Sequence, residues 1–237
     1  HAADLPQFIF TNSLPTNPVT AAAPAATRAR AAWIAAQTRD IGTHPGDGGA
    51  DVAWIETMSS MEEVHAAVAA AIAVGMPYVA TCSFDTAGRT MMGVLPSQLA
   101  TILSAEPVAP LAQGANCGVG APDILVTVLE MANATVPVVS KGNCGVPQFH
   151  GTEIVYSGTP ELMGTYAALA VDAGARIIGG CCGTSPEHLA AMRASIDSHT
   201  KGDAPSIEQI VEAVGPLTNS APTANSGERR SRRSRGE

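Results

Sequence analysis

The sequence predicts an α/β fold in which a mainly parallel sheet carries helices on its outside. Short apolar runs alternate with alanine-rich runs of helical periodicity, which is the pattern of repeated strand–helix units. Hydrophobic residues make up 46% of the 237 residues and charged residues 14%, so the chain can build a sizeable core. Strands that alternate with helices pair mainly in parallel, because each helix returns the chain to the same edge of the sheet.

Six strands are expected, each a short apolar run bounded by turn residues. They cover residues 8–11, 51–57, 77–81, 111–116, 136–140 and 175–178. The helices cover residues 21–38, 61–74, 96–103, 122–131, 160–173 and the segment from 186 onward. Two of them have clear start signals, since Ser60 precedes Glu62 and Glu63, and Ser185 precedes Pro186. Residues 1–217 are assigned to one domain and residues 218–237 to a flexible tail rich in Arg and Ser.

The charge is unevenly distributed along the chain. Residues 228–237 carry a net charge of +3, whereas residues 1–227 carry −11. An acidic body binds phosphate backbones poorly, so nucleic acid is not expected as a partner. No run of about 18 uncharged apolar residues occurs, which argues against a membrane span. Five cysteines, two of them adjacent, and an N-terminus unlike a signal peptide predict a cytoplasmic protein with reduced thiols. The sequence leaves open whether the chain forms a homo-oligomer.

Polar residues lie at or just after the ends of five of the predicted strands. They are Glu56 and Thr57, Ser83 and Asp85, Asn116 and Cys117, Asn143 and Cys144, and finally Cys181 and Cys182. In barrels of β/α units the carboxyl ends of the strands form the active-site face. The sequence therefore predicts that these side chains meet at one site.

The adjacent Cys181 and Cys182 indicate a metal site more than a buried apolar pair. Glycines on both sides permit a backbone that turns two neighbouring side chains to one point. A third thiolate, from Cys117 or Cys144, would complete a three-cysteine zinc site with its fourth position open for substrate. Such a site suits a thiol substrate that is activated as a nucleophile, which suggests alkyl transfer to sulfur.

Three segments together resemble the zinc-dependent homocysteine S-methyltransferases. These segments are residues 114–118 (GANCG), 141–147 (KGNCGVP) and 179–188 (GGCCGTSPEH), with weaker similarity at residues 11–13, 55–58 and 83–85. The family includes betaine–homocysteine methyltransferase and the homocysteine module of cobalamin-dependent methionine synthase. The similarity covers roughly residues 7–215 and implies a (β/α)8 barrel.

The resemblance also implies roles for individual residues. Zinc would be held by Cys117, Cys181 and Cys182, and Glu56 would bind the amino group of homocysteine. Thr57, Asn116 and Ser83 would contact the substrate. Thr11, Asn12, Asp85, Asn143 and Cys144 would line the pocket, Cys144 as a wall residue and not as a ligand.

The chain departs from the family pattern in its N-terminal part. No Asp-Gly strand end is found before Phe8, and residues 37–50 are too few for a strand, an active-site loop and a helix. N-terminal β/α segments are therefore expected to be missing from this sequence. A non-catalytic zinc- or thiol-binding subunit is the alternative from a different class.

The methyl donor is predicted to be a small onium compound such as betaine. The chain looks self-contained, although it has only nine aromatic residues with which to build a cage for such a cation. The alternative donor is a methylated corrinoid carried by a partner protein.

Overall fold

The computed structural model describes residues 52–218, except residues 74, 146 and 152. Within this range five parallel strands form one sheet. The strands are β1 (Ala53–Met58), β2 (Tyr78–Cys82), β3 (Ala112–Cys117), β4 (Val138–Gly142) and β7 (Ala175–Gly180). They lie side by side in the order β1-β2-β3-β4-β7. A separate antiparallel hairpin consists of β5 (Pro147–His150) and β6 (Glu153–Tyr156). The predicted α/β class with a parallel sheet is confirmed.

Six helices are described. They are α1 (Met61–Ala73), α2 (Pro96–Ser104), α3 (Ala121–Leu129), α4 (Pro160–Asp172), α5 (Pro186–Ser198) and α6 (Ile207–Val214). The predicted start of α1 is confirmed, because Ser60 Oγ accepts the Glu63 N–H at 3.2 Å. At the start of α5, the Ser185 N–H donates to His188 Nδ1 at 3.0 Å. None of the described helices is long and apolar enough to cross a bilayer.

The two faces of the sheet differ in what covers them. One face packs against the helices and contributes to the main core, with Val64, Leu99, Leu125 and Tyr166 completely buried. The opposite face carries a smaller apolar cluster, which consists of Val52, Trp54, Val79, Ala112, Val139 and Ile177. Side chains two residues further along a strand lie on the same face. This face therefore continues toward the carboxyl ends of the strands into a polar layer, which consists of Glu56, Thr81, Asn116 and Lys141.

Five predicted strands agree with the sheet to within two residues at each amino end. The β5–β6 hairpin and α6 were not predicted. Helix α6 is part of the folded unit, since Ile210 is fully buried and Val214 is 5% exposed. The strand expected at residues 8–11, the helix at 21–38, the shortage at 37–50 and most of the tail lie outside the described residues.

Candidate metal centre and substrate pocket

Three thiols meet at the carboxyl end of the sheet. The Sγ atoms of Cys117, Cys181 and Cys182 all lie within 4.8 Å of one another, and those of Cys117 and Cys182 are 4.0 Å apart. Spacing in the sequence left Cys117 and Cys144 open as the third member of this group. The fold brings Cys117 to the adjacent pair, whereas Cys144 is buried elsewhere and its thiol donates to the Gly158 carbonyl at 3.2 Å.

Strand order explains why these cysteines meet. Cys117 ends β3 and the Cys181–Cys182 pair follows β7, and both strands are neighbours of β4. Pairing with the β4 segment continues past the strand ends, because the Cys181 N–H donates to the Gly142 carbonyl and the Cys144 N–H to the Cys182 carbonyl, both at 2.9 Å. The adjacent cysteines are thereby fixed in register beside β4.

Asn143 ties both cysteine segments to the end of β4. Its amide nitrogen donates to the Gly118 carbonyl at 2.7 Å and lies 3.6 Å from Cys117 Sγ. Its amide oxygen accepts the Cys182 N–H at 3.0 Å. The Asn143 side chain is 3% exposed, so these hydrogen bonds hold both segments in a buried setting.

Asn116 connects the thiols to β1. Its amide nitrogen donates to Thr57 Oγ1 at 2.6 Å and lies 3.9 Å from Cys181 Sγ. Its oxygen accepts from the Thr57 N–H at 2.8 Å and from Thr81 Oγ1 at 2.7 Å. The hydrogen-bonding groups of this buried amide are thus used to join three strands at the site.

The sulfur arrangement fits zinc. A tetrahedral zinc with Zn–S bonds of about 2.3 Å places its sulfurs about 3.8 Å apart. The 4.0 Å separation of two of the thiols and the 4.8 Å limit on all three are close to that requirement. All three residues are only partly buried, so a fourth partner has access.

The three thiols differ in pKa. A hydrogen bond from Cys117, aided by the Asn116 amide and the Lys141 ammonium, lowers the pKa of Cys181 to about 6 against the opposing effect of burial. The same hydrogen bond and burial raise the pKa of Cys117, and burial raises the pKa of Cys182. The favoured metal-free state near neutral pH therefore has one thiolate, on Cys181, which is stabilised by a hydrogen bond from the Cys117 thiol.

Glu56 lies in the polar layer and has a partner that the sequence did not predict. Lys141 Nζ is 2.6 Å from Glu56 Oε2, and the two side chains are 10% and 17% exposed. The same ammonium lies 5.3 Å from the centroid of the Trp54 ring. The Glu56 carboxylate, which is expected to bind the substrate amino group, is thus paired with the ammonium group of Lys141.

The other predicted site residues are distributed around this centre. Thr57 is exposed at the end of β1 and bonds to Asn116. Ser83 is 6% exposed after β2, where its hydroxyl donates to Asp85 Oδ2 at 3.4 Å. Thr11 and Asn12 lie outside the described residues. The roles given to all these residues stay predictions.

Sequence reasoning missed two residues of the site, Lys141 and Tyr156. Tyr156 lies on the unpredicted hairpin, and its ring fills the space above Gly183, where a Cβ would come within 2.3 Å of Tyr156 Cγ. Burial raises the Tyr156 pKa, and the neighbouring Cys182 side chain raises it further. Lys141 could have been found, because it lies two residues after Val139 on the face that leads to the site.

The family model for homocysteine S-methyltransferase matches residues 14–196. The chain belongs to the homocysteine S-methyltransferase family. The match contains all three clustered cysteines as well as Glu56 and Lys141. The family predicted from the sequence motifs is therefore confirmed.

Curated relatives of this homocysteine S-methyltransferase family member are long proteins. The methionine synthase of Mycobacterium leprae is 29% identical over 174 residues, which cover 70% of this chain and 14% of that protein. The methionine synthase of Mycobacterium tuberculosis is 28% identical over 197 residues, which cover 77% of this chain and 16% of that protein. The chain thus spans about one seventh of the length of these relatives.

Solved structures of the homocysteine methyltransferase MmuM from Escherichia coli share the fold. The apo form matches with a TM-score of 0.55 and 23% identity over 70% of this chain and 57% of that one. The metallated form matches with a TM-score of 0.54 and 23% identity over 69% of this chain and 51% of that one. The likeness confirms the predicted barrel class.

Proposed function

We propose that this chain binds zinc through Cys117, Cys181 and Cys182 and transfers a methyl group to the thiol of homocysteine, forming methionine. The observation that carries the proposal is the convergence of three thiols from two separate strand ends within 4.8 Å. A core packing role would not require three cysteines to face one another at the end of the sheet where barrel enzymes hold their substrates. Family membership supports homocysteine as the methyl acceptor.

Zinc held by three thiolates would lower the pKa of a substrate thiol and so supply a nucleophilic sulfur at neutral pH. The chain's own residues orient the reactants. Asn143 and Asn116 fix the cysteine segments. Glu56, in the polar layer of the same face, is the carboxylate that would hold the substrate ammonium. In the transfer itself, the methyl–heteroatom bond of the donor breaks as the sulfur–methyl bond forms, and the electron pair of the broken bond stays with the donor.

The donor proposed here is a small onium compound such as betaine, with Tyr156 as the aromatic residue beside the thiols. The alternative donor is a methylated corrinoid on a partner. It is favoured by one observation, that the curated relatives are methionine synthases of which this chain matches only a part.

The test is methionine formation from homocysteine with betaine, a dimethylsulfonio compound, S-methylmethionine or methylcobalamin as the donor. Turnover with an onium donor, abolished in Cys181→Ser and kept in Cys144→Ser, is the expected result. Turnover with methylcobalamin and with none of the onium compounds would mean that the donor is the corrinoid. Zinc binding without turnover from any donor would contradict the enzymatic proposal and favour a thiol-binding subunit.

A further inference from the structure

The Glu56–Lys141 ion pair crosses the sheet. Glu56 is on β1 and Lys141 on β4, and two strands lie between them in the sheet order. Their side chains nevertheless meet at 2.6 Å above the apolar cluster of this face, where both are largely buried. An ion pair that removes two charges from water is costly unless the charges serve each other or a ligand.

The ion pair also lies next to the thiol cluster along the sheet. Lys141 pairs with Gly179 in the β4–β7 register, and the carbonyl of the next residue, Gly142, accepts the Cys181 N–H at 2.9 Å. Asn116, which pairs with Lys141 in the β3–β4 register, has its amide 3.9 Å from Cys181 Sγ. A small thiol whose sulfur joins the three cysteines would therefore bring its other end to the ion pair.

We propose that Lys141 binds the α-carboxylate of the substrate, so that the Glu56–Lys141 pair opens around the zwitterionic end of homocysteine. Glu56 exchanges the Lys141 ammonium for that of the substrate, and Lys141 exchanges the Glu56 carboxylate for that of the substrate. This assignment of Lys141 as a specificity-determining residue rests on the proposed function. The pocket then selects the carboxylate of the substrate in addition to its thiol and its amino group.

Charge balance favours a zwitterion over its singly charged analogues. The ion pair is neutral and a zwitterion is neutral, so the exchange leaves the net charge of this largely buried region unchanged. A thiol with only a carboxylate would add a negative charge, and a thiol with only an amine would add a positive one, each at a desolvation cost. The Trp54 ring at 5.3 Å offers the Lys141 ammonium a second partner when the pair opens.

The test is calorimetric binding of three thiols to the metal-containing full chain. The thiols are homocysteine, 3-aminopropane-1-thiol, which lacks the carboxylate, and 4-sulfanylbutanoate, which lacks the amine. We expect the unmodified protein to bind homocysteine at least about tenfold more tightly than either analogue. Lys141→Met should weaken binding of homocysteine and 4-sulfanylbutanoate by about tenfold or more and leave 3-aminopropane-1-thiol unaffected or tighter. Lys141→Arg should restore part of the loss.

A purely structural ion pair gives a different pattern. Lys141→Met would then weaken the binding of all three thiols equally, or of none of them. That result would overturn the inference, whereas homocysteine binding by the unmodified protein would still support the proposed function. If Lys141→Met does not fold, the ranking in the unmodified protein decides, and equal affinity for homocysteine and 3-aminopropane-1-thiol overturns the inference. If the unmodified protein binds none of the three thiols, the proposed function fails and the inference fails with it.

Discussion

Two non-glycine residues at the site have left-handed backbone conformations, Thr57 with φ 62° and Cys117 with φ 63°. A branched residue such as Thr rarely adopts this conformation, which costs about 1–3 kcal/mol. Asn116 compensates for it at Thr57, because its amide bonds both the N–H and the hydroxyl of that residue. Cys117 is held by pairing of its segment with β4. At the site this strain thus falls on Thr57, which follows Glu56, and on Cys117, a proposed ligand.

Glu56→Gln should weaken homocysteine binding by about tenfold or more without loss of zinc, because the neutral amide cannot pair with the substrate ammonium. Calorimetry and metal analysis of the same preparation measure both effects. Glu62→Gln, in the exposed first turn of α1, is the matched control and should change neither. Loss of zinc from Glu56→Gln would mean that Glu56 supports the metal and not the substrate.

Metal binding should release about two protons per chain near pH 7.5. The raised pKa values of Cys117 and Cys182 keep these thiols protonated in the metal-free site, whereas Cys181, with a pKa of about 6, is already a thiolate. Zinc needs all three as thiolates, so its affinity should rise by about a hundredfold per pH unit between pH 6.5 and 8.5. Competition with a chelator of known pH dependence measures this slope. A zinc affinity independent of pH would contradict the assignment of three thiol ligands.

At the scale of elements, the β5–β6 hairpin covers the turn that follows the adjacent cysteines. Tyr156 ends β6, and its ring occupies the space that a side chain at Gly183 would need. Gly183 also has φ +79°, a conformation that glycine adopts without strain. The hairpin therefore packs against the Cys181–Cys182 turn and helps to fix it.

Gly183→Ala should lower both stability and zinc affinity, because the added methyl must displace the Tyr156 ring and strain the backbone. Gly75→Ala is the matched control, since Gly75 has a similar φ of +70° and nothing within 4 Å of a Cβ. The control should cost about 1 kcal/mol and keep zinc. Thermal unfolding and metal analysis of both variants test this. Equal effects in the two variants would show that the contact with Tyr156 does not matter to the site.

Local patterns predicted most of the described elements, because strand–helix alternation and helix start signals are local properties. Helix α6 also had such a signal, since Ser206 and Gln209 form a capping box in which the Ser206 N–H donates to Gln209 Oε1 at 2.8 Å. The hairpin had a weaker one, the glycine at 151 between two short runs. Its strands lie in a segment that an α/β pattern treats as a loop.

The site was only partly predictable for a related reason. The motifs at the strand ends identified the cysteines and Glu56, but the choice between Cys117 and Cys144 depends on which strands are neighbours in the sheet. The Glu56–Lys141 contact joins residues 85 positions apart on strands that are not adjacent. No spacing rule predicts such a contact, because it depends on side chains that reach across one face of the sheet.

At the scale of the whole molecule, the proposed site and the basic tail are separate in sequence. Among the residues that the structure describes, those assigned to the site lie between Trp54 and Gly183, whereas the Arg-rich segment begins at residue 228. The folded unit extends at least to Thr218, whose N–H donates to Asp123 Oδ2 at 3.0 Å. The domain boundary predicted at residue 217 therefore falls next to an anchored residue, and its position stays a prediction.

Deletion of residues 228–237 should leave zinc content and methyl transfer unchanged, because none of the residues proposed for the site is removed. Truncation after residue 205 is the contrasting variant, since it removes α6 with its buried Ile210 and should destabilise the fold by several kcal/mol. Activity and thermal unfolding are the readouts. A large loss of activity in the shorter deletion would assign the Arg-rich segment a role in the reaction.

The central claim, a zinc centre made by Cys117, Cys181 and Cys182, is tested most directly by the zinc content of the purified chain and two serine variants. We expect about one zinc per chain, its loss in Cys181→Ser, and its retention in Cys144→Ser, where serine keeps a donor for the Gly158 carbonyl. Full zinc content in Cys181→Ser would contradict the account.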